Sequence, residues 1–146
     1  MTRRLLPTAA LLAAALLGGC SMHMHHKHPQ HGGGSNTGDP TAPRVIVQNG
    51  VISVDQEVLR FEKGQTNVTI TWRLESKEGR RLTFPPNGVV FERAADGEIV
   101  ECRRTKDNTE FSCLNRHSKP GQYRYGINVD EDGKPLKPLD PYIMND

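Results

Sequence analysis

From residue 68 to 75 the chain reads VTITWRLE, in which Val68, Ile70, Trp72 and Leu74 alternate with Thr69, Thr71, Arg73 and Glu75. A period of two sends successive side chains to opposite faces of a strand, so this segment requires a sheet that is dry on one side and wet on the other. The alternation returns in residues 122–130, where Tyr123, Tyr125, Ile127 and Val129 interleave with Arg124, Gly126, Asn128 and Asp130. Turn formers recur at short intervals, as Asn49-Gly50, Lys63-Gly64, Glu78-Gly79-Arg80 and Pro85-Pro86-Asn87-Gly88. They leave short strand-like runs at 45–54, 58–74, 81–84, 89–91 and 98–104, and no long amphipathic helix. About seven or eight such strands predict an all-β domain over residues 44–146, a small two-sheet sandwich with Trp72 in its core. Residues 134–146, KPLKPLDPYIMND, are rich in proline and predict an extended or turning tail. Its Tyr142, Ile143 and Met144 are expected to pack over a sheet edge and block intermolecular pairing.

Two cysteines fall in this domain, Cys102 and Cys113. With a four-residue turn at 106–109, Thr105 faces Glu110, Arg104 faces Phe111, Arg103 faces Ser112, and Cys102 faces Cys113. Direct opposition of this kind predicts a structural disulfide. The close Cys-x-x-Cys spacing of a catalytic redox pair is absent.

Ahead of the domain, residues 1–19 carry Arg3-Arg4 and a Leu/Ala-rich stretch, ending at Leu17-Gly18-Gly19-Cys20. The apolar stretch is short for a permanent span of about 30 Å of hydrocarbon. The run resembles the lipobox of bacterial lipoprotein signal peptides. That resemblance implies that residues 1–19 are removed, that Cys20 carries the lipid, and that the protein is held in the membrane by its acyl chains. Ser21, rather than Asp, follows the cysteine, which implies an outer-membrane lipoprotein facing the periplasm, an oxidising compartment in which the disulfide persists. The whole chain has 19 basic and 17 acidic residues. Two of the basic ones, Arg3 and Arg4, lie in the leader, so the mature chain is balanced and offers no cationic stripe for nucleic acid.

Residues 20–43 form a tether of low apolar content, rich in Gly, Pro, Ser and His. Such a composition cannot offset its ordering entropy by burial, so its expected role is reach. Five of the six histidines, His23, His25, His26, His28 and His31, sit in it with Met22 and Met24. Imidazoles suit Cu(II), Ni(II) and Zn(II) and thioethers suit Cu(I), so the tract is also a candidate chelator of copper, zinc or nickel, or a spacer whose charge changes near the usual histidine pKa of about 6.5.

Two segments, VISVDQEVLRFEKGQTNVTITWRL and FSCLNRHSKPGQYRYGINV, are similar to the opening and closing strands of the cupredoxin fold, and the short alternating strands also resemble immunoglobulin-like sandwiches. The cupredoxin resemblance implies Cys113 as a copper thiolate, His117 as an imidazole ligand and Gln122 at the axial position. A type 1 site needs a second imidazole. No histidine lies between His31 and His117, so the resemblance extends to the fold and not to the copper chemistry, and His117 is expected to be an exposed loop residue. Asp96, Glu98, Glu101, Asp107, Asp130 and Asp132 fall mostly in turns or on strand exteriors. There is no phosphate loop, His-Glu-x-x-His helix or serine nucleophile elbow, and no catalytic residue is assigned. The expectation is a noncatalytic envelope lipoprotein that binds or positions another envelope component. A metal-capture or metallochaperone lipoprotein using the Met/His tract is the alternative.

Overall fold

The computed structural model describes residues 38–146. The expected signal peptide, Cys20 and the ligand candidates Met22, His23, Met24, His25, His26, His28 and His31 lie outside the described residues. From residue 38 onward the chain is all β, apart from one 3₁₀ turn at Arg93–Ala95. Among the described residues no helix is long and apolar enough to cross a membrane.

The chain opens with the hairpin β1 (Arg44–Gln48) and β2 (Val51–Val54). Its two-residue loop is Asn49-Gly50, with φ of 52° and 71°. Positive φ at both positions gives the turn whose twist matches a tight hairpin, and only Gly and Asn adopt it cheaply. The chain then bends through residues 55–57 and crosses to the other sheet as β3 (Val58–Phe61). β4 (Val68–Ser76) is the long alternating strand. Ile70 and Trp72 are fully buried while Thr69 and Arg73 face solvent, as the period of two requires.

Five strands form the larger sheet in the order β2-β1-β4-β8-β7, with β7 at Ile99–Thr105 and β8 at Glu110–Asn115. Four form the second, β3-β12-β9-β6, with β6 at Val89–Phe91, β9 at Gly121–Ile127 and β12 at Tyr142–Asn145. A small sheet joins β5 (Leu82–Thr83), β10 (Asp130–Glu131) and β11 (Lys134–Pro135). Most pairs are antiparallel, but β1 runs parallel to β4 and β3 parallel to β12.

The two large sheets share one core. Val45, Ile70, Trp72 and Phe111 from the first meet Leu59, Tyr125, Ile127 and Ile143 from the second. Trp72 lies edge-on to Tyr125 at 5.4 Å and to Phe91 at 6.3 Å between ring centres, and its indole N–H donates to the Tyr125 hydroxyl at 3.2 Å. Each large side chain removed from water in this way contributes about 1.5–3 kcal/mol. Gly88 is required by close approach. A Cβ there would stand 2.8 Å from Phe84 and 2.9 Å from Phe111, within the contact distance of real atoms.

The expected tail is different in the structure. Residues 142–145 are an internal strand, with β3 on one side and β9 on the other, and Ile143 is wholly buried. The alternation in PYIMN is too short to be distinguished from a packed tail, and its partners lie far back in the chain. Pro138 and Pro141 lie before this strand, and Pro135 lies in the edge strand β11, where a missing N–H costs least.

Candidate functional site

Among the described residues, the positions expected to carry chemistry do not converge on a single site. Cys102 and Cys113 form a disulfide. The expected register holds for Thr105 with Glu110, Arg104 with Phe111 and Arg103 with Ser112, and continuing it by one residue sets Cys102 opposite Cys113. Beyond that point the pairing slips by one at Glu101, whose φ is 54°. This bulge bends the edge strand β7. The turn at 106–109 carries three successive positive φ values, at Lys106, Asp107 and Asn108, and is closed by the Thr109 N–H donating to the Lys106 carbonyl at 3.0 Å.

His117 is buried, at 7% exposure, which corrects its placement as an exposed loop residue. Its Nδ1 lies 3.1 Å from the Gln65 carbonyl oxygen and its Nε2 3.0 Å from the main-chain oxygen of Asp146. Both ring nitrogens are thus turned to main-chain oxygens, and the N–H of either tautomer donates to one of them, to residue 65 or to residue 146. Gln122 is exposed on the outer face of β9, whereas Cys113 faces the core from β8. The core therefore separates Gln122 from Cys113, and His117 is engaged by main-chain oxygens. Among the described residues no group of three His, Cys, Asp or Glu side chains could hold a metal ion.

The same end of the sandwich carries a buried polar network. Asn115 and Asn145, one from each large sheet, exchange side-chain hydrogen bonds at 2.9 and 3.1 Å, and Asn115 Oδ1 also accepts from the His117 N–H at 3.1 Å. Glu98, expected among the exterior carboxylates, is 3% exposed. It accepts the Ser118 N–H at 2.8 Å, the Lys119 N–H at 3.3 Å and the Ser118 hydroxyl. Burial pushes its carboxyl upward, but these donors outweigh that penalty and hold it below the ordinary glutamate range. The buried anion is satisfied on both oxygens, which makes it a fastener for the loop at 116–120. The polar sequence around Glu98 looks like any exposed turn; its burial depends on Ser118 and Lys119, 20 and 21 residues away.

A feature open to a ligand lies on the outer face of the four-stranded sheet. A groove of about 390 Å³ is lined by Val54, Glu57, Val58, Gln122, Leu139, Asp140, Pro141 and Tyr142. A second depression of about 290 Å³, lined by Val90, Phe91, Glu92, Arg124, Tyr125, Gly126 and Asp140, shares Asp140 with it. The two adjoin at Asp140 and make up, in two parts, a trough across the strands. Register explains the trough: Val58, Tyr142 and Arg124 stand in one row, and Gly126 opposite Val90 leaves a gap in the next. Val90 is 47% exposed. Arg124 reaches Asp140 at 3.0 Å and Glu92 at 3.6 Å. Among the described residues, no hydrogen bond or ion pair engages the Glu57 carboxylate.

The domain is thus a disulfide-stapled β-sandwich with a grooved outer face. No protein-family model matches the sequence, and no curated protein matches it significantly.

Proposed function

We propose that this protein is a noncatalytic envelope lipoprotein, anchored through Cys20 in the outer membrane and facing the periplasm, whose sandwich binds or positions another envelope component. The trough carries this reading: it places the exposed Val90 and the half-buried Val58, Leu139 and Tyr142 beside Glu57, Glu92, Arg124 and Asp140. Exposed apolar patches rimmed by polar groups mark interaction surfaces. Of the two sandwich types, the cupredoxin-like one is favoured, because the constant-type immunoglobulin sandwich is built of antiparallel pairs whereas this domain has two parallel ones, β1–β4 and β3–β12. Cell fractionation and affinity isolation of the wild type beside Cys20→Ser test the proposal. The expected result is loss of membrane association in the variant, together with loss of a discrete co-isolated partner. A membrane-bound Cys20→Ser protein, or no anchor-dependent partner, overturns it.

A second reading rests on the seven Met and His side chains between residues 22 and 31. In it the tract captures copper, zinc or nickel and the domain serves as carrier. Competitive titration of the three metals against the protein with and without residues 22–31 tests it. Selective, tract-dependent binding supports capture; weak binding without preference overturns it.

A further inference from the structure

We infer that the trough on the four-stranded sheet is a docking site for an extended segment of a partner protein, with two basic residues four apart and an apolar residue midway between them. The inference rests on the proposal that this domain binds an envelope component, and it supplies the surface and the chemistry.

The charge balance selects a cationic occupant. In the trough a single guanidinium, Arg124, lies between two carboxylates, Glu92 and Asp140, and Glu57 has no counter-ion among the described residues. The outer face of the five-stranded sheet differs. There Glu75 is met by Arg44 and Lys77 and Glu110 by Arg73 and Lys106, so each of these two acids already has two cations beside it.

Spacing selects the conformation. Glu57 stands at the start of β3, on one edge of the sheet, and its carbonyl accepts the Tyr142 N–H. Glu92 follows β6 on the other edge, and its N–H donates to the Arg124 carbonyl. Three interstrand spacings separate those edges, about 14 Å at roughly 4.8 Å each. An extended chain advances about 3.4 Å per residue, so residues four apart span nearly the same distance and project from the same side. The residue between them also projects toward the trough, where Tyr142 and Val90 offer apolar contact. Spacings of three or five send the second basic side chain away from the sheet.

Calorimetric titration of the full-length protein with blocked heptapeptides tests the assignment. One peptide has lysines at its second and sixth positions and leucine at the fourth; two others shift the second lysine by one place. The first is expected to bind roughly tenfold tighter than either shifted peptide, with affinity that falls as salt rises. Glu57→Gln and Glu92→Gln are each expected to weaken it by about two- to fivefold, while Glu75→Gln on the other face leaves it unchanged. Equal affinity for all three peptides, or indifference to Glu57→Gln and Glu92→Gln, overturns the assignment. So does self-association that Glu57→Lys abolishes, since the occupant is then a second copy of this chain. A partner that co-isolates equally with wild type and with Glu57→Lys/Glu92→Lys overturns the trough alone. Intact peptide binding without any anchor-dependent partner overturns the envelope reading alone.

Discussion

At the residue scale, Glu98 and Tyr125 show how burial and hydrogen bonding set opposite responses to pH. Glu98 is held below the usual glutamate value of 4.5 by the donors on Ser118 and Lys119, against the effect of its burial. A lowered carboxyl stabilises the fold above the unfolded value and loses that contribution as pH falls through the folded one. Glu98→Gln is expected to cost about 1–3 kcal/mol at neutral pH, because part of the acceptor set is lost, and to flatten the acid limb of stability below pH 4.5. Urea unfolding of both proteins across the acid range checks this. Tyr125 behaves in the reverse sense: burial pushes its phenol well above the ordinary value of 10, with the bond from Trp72 opposing the shift. Its contribution is complete below pH 10 and declines as pH rises toward the folded value. Tyr125→Phe strands the Trp72 N–H in the core, with an expected loss of about 1–3 kcal/mol at neutral pH, and it removes part of the alkaline instability. Denaturant midpoints at neutral and alkaline pH measure both effects.

Among the elements, the strand formed by Tyr142–Asn145 has the largest unexpected consequence. It lies between β3 and β9, so its loss would open two ladders rather than free an edge. Ile143→Ala is expected to destabilise by about 2–5 kcal/mol, read from the shift of the urea midpoint; a loss under 1 kcal/mol is the result for a surface tail. The disulfide is a smaller staple. It closes a loop with a sequence separation of 11, for which constraint of the unfolded chain gives about 3 kcal/mol. Reduced and oxidised protein should differ by that amount in equilibrium unfolding. The strands at 68–76 and 121–127 were legible because alternation over many residues leaves one face to bury, and the 106–109 turn with its cross-strand register followed from counting back to the cysteines. Asn49-Gly50 marked its own hairpin. Residues 142–145 were not legible as an internal strand, because their pairing is set by segments far away in sequence. The burial of His117 and Glu98 was likewise invisible, since the oxygens of Gln65 and Asp146 and the donors of Ser118 and Lys119 become neighbours only through the fold.

For the whole molecule, a leader-like segment, a Met/His-rich tether and a sandwich with a grooved face combine into a single proposal: the lipid fixes location, the tether gives reach and the trough gives recognition. A photo-reactive side chain placed at Val90, in the trough, and separately at Thr69, on the outer face of the other sheet, tests that combination most directly when irradiated in cells with Cys20 intact or replaced by serine. The account predicts a discrete cross-linked partner from position 90 only, lost when Cys20 is replaced and lost again with Glu57→Lys/Glu92→Lys. The same adduct from position 69, or an adduct from position 90 that survives replacement of Cys20, would contradict it.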